Sequence, residues 1–198
     1  MLGLPNYGSS NWMRAEWDAI ELPSQFMENW CWDKEMLKSL SSHIDTGEQI
    51  PDDLCDRLIS SKNFFSAYDL LRQVELSLMD MELYHGAPRD IDEVVKAVRK
   101  EVRISPVYEL DRFPNTFSHI FAGGYSAGYY SYKWAEVLSA DAYEAFVEAG
   151  NIFDPVTGAK FMAEVLEASG KRPMKENFVA FRGRAPSVDS LLRHGGLL

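Results

Sequence analysis

Ala15–Asp33, AEWDAIELPSQFMENWCWD, is the stretch whose reading decides the fold. Taken as a helix, it places Glu21, Gln25, Glu28 and Trp32 at i, i+4, i+7 and i+11, along one face. Most other positions are large and apolar: Ile20, Leu22, Phe26, Met27, Trp30 and Cys31. A solvated amphipathic helix has a broad polar face. This one has a narrow seam of carboxylates and an amide, which predicts a helix buried nearly all round. Asp18 and Ala19 are its candidate caps, and Pro23 in the first turn predicts a distortion near Glu21. Buried carboxylates need a partner or a metal. Two readings of the seam stay open. Glu21 and Glu28 reach the surface along a groove or pair with Arg and Lys from elsewhere, or they line a metal or catalytic cleft.

The rest of the chain sets the bounds. Its 198 residues, 46% of them hydrophobic, suit one domain or a large part of one with a sizeable core. A net charge of −10 speaks against nucleic acid or an anionic membrane as the main partner. No apolar run approaches a bilayer span, and no signal peptide is expected ahead of the first helix. Cys31 and Cys55 form no C-x-x-C motif and read as buried free thiols in a reducing cytoplasm.

Residues 1–14 are rich in Gly, Ser, Asn and Pro and read as an irregular approach segment. Further helices are predicted over Lys34–His43, from Pro51 to about Ser60, and over Lys62–His85, the last closed by Gly86. In that long helix Phe64, Ala67, Leu71, Val74, Leu78 and Met81 form the stripe expected to face a core. Asp90–Arg103 is acidic at its start and basic at its end, as a helix dipole favours. Tyr125 to about Gly150 reads as helical, broken or bent near Ala140-Asp141. Asp154-Pro155 starts a helix to about Ser169, and Lys175–Arg182 and Val188–His194 form the last two. No strand period, repeat or linker is evident, so the fold class is all-α, with 1–198 read as a single helical unit.

A second constellation lies at Phe117–Trp134, FSHIFAGGYSAGYYSYKW. His119 precedes Gly123-Gly124, and Tyr125, Tyr129 and Tyr132 follow at i, i+4 and i+7. The glycines allow a close-approaching backbone, and the tyrosines would point off one helix face. Phenol hydroxyls and an imidazole could bind a peptide backbone and stabilise an oxyanion. The alternative is an aromatic face packed in the core beside a satisfied histidine. His43, His85 and His194 sit near helix ends, where cap or dipole roles are expected. The ending FRGRAPSVDSLLRHGGLL reads as a docked tail whose Arg182, Arg184 and Arg193 pair with surface acids.

WDAIELPSQFMENWCW and FSHIFAGGYSAGYYSYKWAEVLSADAYEAF closely resemble the thimet oligopeptidase-like zinc metallopeptidases of family M3. The oligopeptidase A and dipeptidyl carboxypeptidase branch is nearest. FRGRAPSVDSLLRHGGL is similar to the family's carboxyl terminus, so the likeness runs from about Glu16 to Leu197. The resemblance implies an all-α, multi-helix carboxyl-terminal part of a neurolysin-like, zincin-related catalytic domain. It implies cleavage of short peptides by zinc-activated water, in the cytoplasm. It assigns Glu21 as a zinc ligand and Glu28 as a carboxylate orienting a zinc-bound histidine. It assigns His119, Tyr125 and Tyr132 to transition-state stabilisation, and Gly123, Gly124 and Tyr129 to substrate binding.

The family's H-E-x-x-H helix supplies two zinc-binding histidines and the general-base glutamate. It should lie roughly two dozen residues ahead of the third ligand. No His-Glu dipeptide occurs in these 198 residues, so the zinc site they carry is incomplete. Two functional expectations follow. One is a catalytic-domain portion, inactive alone, that acts with an amino-terminal lobe. The other is a non-catalytic helical module that binds peptides or associates with another copy through exposed apolar surface.

Overall fold

The computed structural model describes residues 7–8 and 11–198. The expectation of an irregular start therefore lies outside the described residues at positions 1–6 and 9–10. Among the described residues there are helices and turns but no strand, with a lone bridge between Ser169 and Arg172. The sequence reading treats 1–198 as one unit. In the structure the chain divides into two compact units, the first comprising 1–66 and 134–198 and the second 67–133.

The first unit opens on the Ala15–Asp33 stretch, which is not one helix. A 3-10 turn over Trp17–Ala19 is followed by α1 (Leu22–Glu28) and a second 3-10 turn over Asn29–Trp32. Proline has no N–H to donate, so it fits the first turn of a helix but not its interior. Pro23 accordingly lies at the very start of α1, and Glu21 becomes its N-cap with φ −90° and ψ 0°. Nor is the stretch buried all round. Ala19, Leu22 and Phe26 are buried, but Met27 is 62% exposed and Cys31 is an exposed thiol, whereas Cys55 is buried as expected.

α2 (Lys34–Leu40) is capped by Asp33, whose side chain accepts the Met36 N–H, and α3 (Asp52–Ser61) starts with two acids after Pro51. The later part of the unit holds most of α7 (Ser131–Glu148), α8 (Pro155–Phe161), a π turn over Met162–Leu166, α9 (Met174–Arg182) and α10 (Asp189–His194). Those labels follow α4 (Ser66–Tyr84), α5 (Ile91–Val102) and α6 (Ser118–Phe121), described below. Asp154 caps α8 by accepting the Thr157 N–H, and Gly183, at φ +76°, ends α9. α7 runs through Ala140-Asp141 without a break.

Phe26 organises the core of this unit. Its ring stacks on Phe161 at 3.9 Å and meets Trp30 edge-on at 4.9 Å, among Leu22, Phe146, Val165, Phe178 and Phe181. Trp30 Nε1 donates to the Ile152 carbonyl at 3.1 Å, so the indole packs without stranding its polar atom. Burying a ring of this size contributes about 3 kcal/mol at most from transfer alone.

The tail is docked as expected, on one surface acid, Glu148, and one buried acid, Asp141. Asp141 is wholly buried in α7. It accepts Arg184 Nη2 at 2.6 Å, Arg184 Nη1 at 2.7 Å, the Ser187 N–H at 2.8 Å and Arg182 Nε at 3.2 Å. Arg182 also grips Glu148 with both terminal nitrogens, at 2.8 and 2.7 Å. Burial alone would raise the Asp141 carboxyl, but these donors outweigh it and hold the group below the usual range.

In the second unit, α4 buries a different face from the expected stripe. Val74 and Met81 are 36% and 43% exposed, while Glu75, Leu76, Met79 and Asp80 are buried. The buried acids account for the shift. Glu75 Oε1 accepts Arg72 at 2.7 Å, Arg99 at 3.0 Å and Arg103 at 3.4 Å, so the inner side of α4 is set by ion pairing as well as by apolar content. Asp90 caps α5 through the Glu93 N–H, and Val94, Val95 and Val98 pack on Met79.

Asp141→Ala would remove the buried acceptor shared by Arg182 Nε, the Arg184 guanidinium and the Ser187 N–H, leaving Arg182 only Glu148 as its acid. We expect it to destabilise the chain by about 3–5 kcal/mol, read as a lower melting temperature by circular dichroism. Because the folded carboxyl titrates below its unfolded value near 4, its contribution is complete above that pH and is lost as pH falls through the lower folded value. The gap between wild type and Asp141→Asn should therefore narrow on acidification below about pH 4.

Candidate functional site

In the first unit, Glu21 is half-buried. Its Oε2 accepts the Ser24 hydroxyl at 2.9 Å, and the same hydroxyl lies 2.9 Å from the Glu21 carbonyl, a cap-like arrangement at the start of α1. Gln25 is also half-buried and Glu28 is exposed, one α-helical turn further on. Of the polar seam only Glu28 is exposed, while Gln25 Oε1 is itself buried. Trp32 leaves it because the chain winds as a 3-10 turn after Glu28. Among the described residues no group of three or more His, Cys, Asp or Glu side chains is placed to hold a metal ion. The residues present therefore do not by themselves fit a zinc centre.

The second unit brings together the residues of the other constellation. α6 carries His119 and Ile120; Ile120 is buried and His119 is exposed. The chain then reverses at Gly123-Gly124. The Ala122 and Gly123 N–H groups both donate to the Ser118 carbonyl at 2.7 Å, and Tyr125 N–H donates to the His119 carbonyl at 2.9 Å. A Cβ on Gly123 would sit 3.0 Å from His119 Cα and 3.1 Å from its carbonyl oxygen, so a side chain there would require the backbone to give way slightly. Gly124 has φ +84°, which glycine adopts without strain.

The three tyrosines do not share a helix face. Residues 125–130 form successive turns, and α7 begins only at Ser131. Ala127 has φ +55°, the one non-glycine with positive φ among the described residues, and this left-handed turn keeps the helix from starting earlier. The turns nevertheless gather the rings. His119 lies 5.9 Å from Tyr125, 5.6 Å from Tyr129 and 6.0 Å from Tyr132, ring centre to ring centre, all edge-on. Tyr125 and Tyr132 stack at 4.9 Å.

Their surroundings differ. Tyr129 is 8% exposed and packs with Leu76, Phe117 and Ile120. Burial pushes its phenol up from the usual value, helped by Tyr132, so it is part of the core first. Tyr125 and Tyr132 are half-buried beside the exposed imidazole. One accessible imidazole and two part-exposed phenols in van der Waals reach can donate hydrogen bonds to a carbonyl or an oxyanion.

Of the other histidines, His43 Nδ1 accepts the Asp45 and Thr46 N–H groups at 3.2 and 3.3 Å, a turn cap. His194 Nε2 lies 3.0 Å from Glu144 Oε1, with burial holding the imidazole below its ordinary value.

Sequence reasoning missed Asp80. Wholly buried in α4, it accepts the Ala127 N–H at 2.8 Å and the Tyr129 N–H at 2.8 Å, each on a different carboxylate oxygen. Burial raises its carboxyl, and the N–H groups of Tyr129, Ala127 and Gly128 only partly pull it back. The available signal was an aspartate inside the apolar run LSLMDMEL.

Comparison with known proteins gives the family. The chain is 49% identical over 186 residues to oligopeptidase A of Haemophilus influenzae, covering 92% of this chain and 27% of that relative. It is 48% identical over 193 residues to the probable cytosolic oligopeptidase A of Arabidopsis thaliana, covering 92% and 27%. It is 28% identical over 202 residues to dipeptidyl carboxypeptidase of Salmonella typhimurium, covering 100% and 30%. The chain therefore spans between a quarter and a third of the length of each relative. Residues 1–197 match peptidase family M3, and the chain belongs to that family.

Proposed function

We propose that this chain is the carboxyl-terminal part of the catalytic domain of an oligopeptidase that hydrolyses short peptides in the cytoplasm. One observation carries the reading: in a chain of peptidase family M3, an exposed imidazole is ringed by part-exposed phenols on a glycine-shaped turn. His119, Tyr125 and Tyr132 donate hydrogen bonds to the peptide carbonyl and to the oxyanion that develops there. Gly123 and Gly124 let substrate approach the backbone, and Tyr129 supports the rings from beneath. Zinc is the expected cofactor, with Glu21 one of its ligands and Glu28 a carboxylate near the metal-binding histidines. The other ligands and the general base would come from an H-E-x-x-H segment, which these 198 residues do not contain. The chain alone is accordingly inactive. The relatives' printed names, oligopeptidase A and probable cytosolic oligopeptidase A, support both the substrate class and the compartment.

A second reading is a helical association module. Ile44 and Phe64, 95% and 78% exposed in the first unit, favour it, because large apolar side chains at the surface promote self-association or docking of another lobe.

A quenched fluorescent peptide assay with added zinc separates the readings. The chain alone should be silent, and cleavage should appear on mixing with a separately produced segment carrying the H-E-x-x-H motif. Glu21→Ala should abolish that cleavage, and Tyr132→Phe should lower kcat by about 10²-fold, the usual cost of one oxyanion donor. No cleavage in any mixture would sink the peptidase reading. For the second, mass measurement in solution should show a concentration-dependent dimer that Phe64→Ser weakens; a monomer at high concentration would count against it.

A further inference from the structure

Between the buried side chains of Ile120 and Tyr129, the turn that carries Tyr125 has little apolar burial of its own. Phe121, Ala122, Gly123, Gly124, Ser126 and Ala127 are all exposed. A left-handed alanine is disfavoured unless its surroundings impose the conformation. What fixes the segment is hydrogen bonding from below. The Ile120 carbonyl accepts both Tyr84 Oη and Ser126 Oγ at 2.6 Å. Beyond that point the backbone is held by Asp80, whose two oxygens take the N–H groups of Ala127 and Tyr129 at 2.8 Å each. Successive N–H groups around a left-handed residue form a concavity suited to an anion, and here a side chain of the same unit fills it.

We infer that Asp80 is a positioning residue: by holding the Ala127 and Tyr129 N–H groups, it fixes the turn that sets Tyr125 and Tyr132 against His119. It touches no substrate. Its role in catalysis rests on the peptidase reading above, whereas its role in ring geometry does not. An amide in its place keeps the size but presents an NH2 group toward one of the two backbone donors, which drives that part of the turn away. A glutamate keeps the charge but moves it by one methylene.

The test compares wild type, Asp80→Asn, Asp80→Glu and the control Val98→Ala, a buried truncation elsewhere in the same unit. All are made as the 198-residue chain with isotope-labelled histidine and tyrosine rings. In wild type, ring-to-ring NMR contacts should join His119 to Tyr125 and Tyr132, and the Ala127 and Tyr129 amides should be protected from exchange. Asp80→Asn should lose both, and Asp80→Glu should shift the ring contacts while remaining folded. Val98→Ala should lower the melting temperature and keep both. Unchanged ring contacts in folded Asp80→Asn or in Asp80→Glu, or equal losses in Val98→Ala, would overturn the assignment. In the complemented peptidase assay, Asp80→Asn should lower kcat at least about tenfold with a smaller change in KM, as misplacement of reacting groups does. If complemented wild type cleaves no peptide, the peptidase reading fails and the ring contacts still decide the role of Asp80.

Discussion

A carboxylate removed from water must be met by donors, and the structure is organised around places where this happens. Glu75, Asp80 and Asp141 are each 2% exposed or less, and each is satisfied differently. Glu75 draws in arginines from α4, from α5 and from the residue that ends α5. Asp141 ties the carboxyl-terminal segment to α7 through Arg182, Arg184 and the Ser187 N–H. Asp80 is met by backbone N–H groups. Desolvating an ion costs several kcal/mol unless its lone pairs are filled, so each acid dictates what must lie beside it. Apolar packing supplies most of the folding energy; these acids decide which segments pack where.

That constraint accounts for the behaviour of α4. Of its apolar stripe, Val74 and Met81 are exposed and Leu71 and Leu78 only half-buried, and the inward face carries two acids. Hydrophobic periodicity assumes that apolar content chooses the buried face. Where buried ion pairs and backbone donors also choose, the helix can turn by a fraction of its circumference and still be stable. The same logic separates the two halves of the aromatic constellation. Tyr129 is drawn into the core with Leu76 and Phe117, while Tyr125 and Tyr132 stay within reach of solvent beside His119.

Much of the fold was legible. Gly86 after α4, the Asp154-Pro155 start of α8 and the dipole-matched charges of α5 marked helix ends within a few residues of those observed. The Ala15–Asp33 stretch was legible only in part. Pro23 announced the irregularity at Glu21, but the 3-10 winding that follows α1 has no distinct composition. The grouping of His119 with the tyrosines was readable from proximity in sequence, although a turn assembles them where a helix face was expected.

The amino-acid sequence by itself determined the helical class, the family and the residue types gathered near Gly123-Gly124, because these depend on local periodicity, capping chemistry and motif order. Tertiary structure alone decided that Cys31 is exposed, that the buried face of α4 is the acid-bearing one, and that Asp80 underlies the tyrosine turn. The place of Asp80 depends on donors brought from 47 and 49 positions away and the pairing of Glu75 on arginines as far as 28 positions on, and no local pattern encodes a partner at that distance.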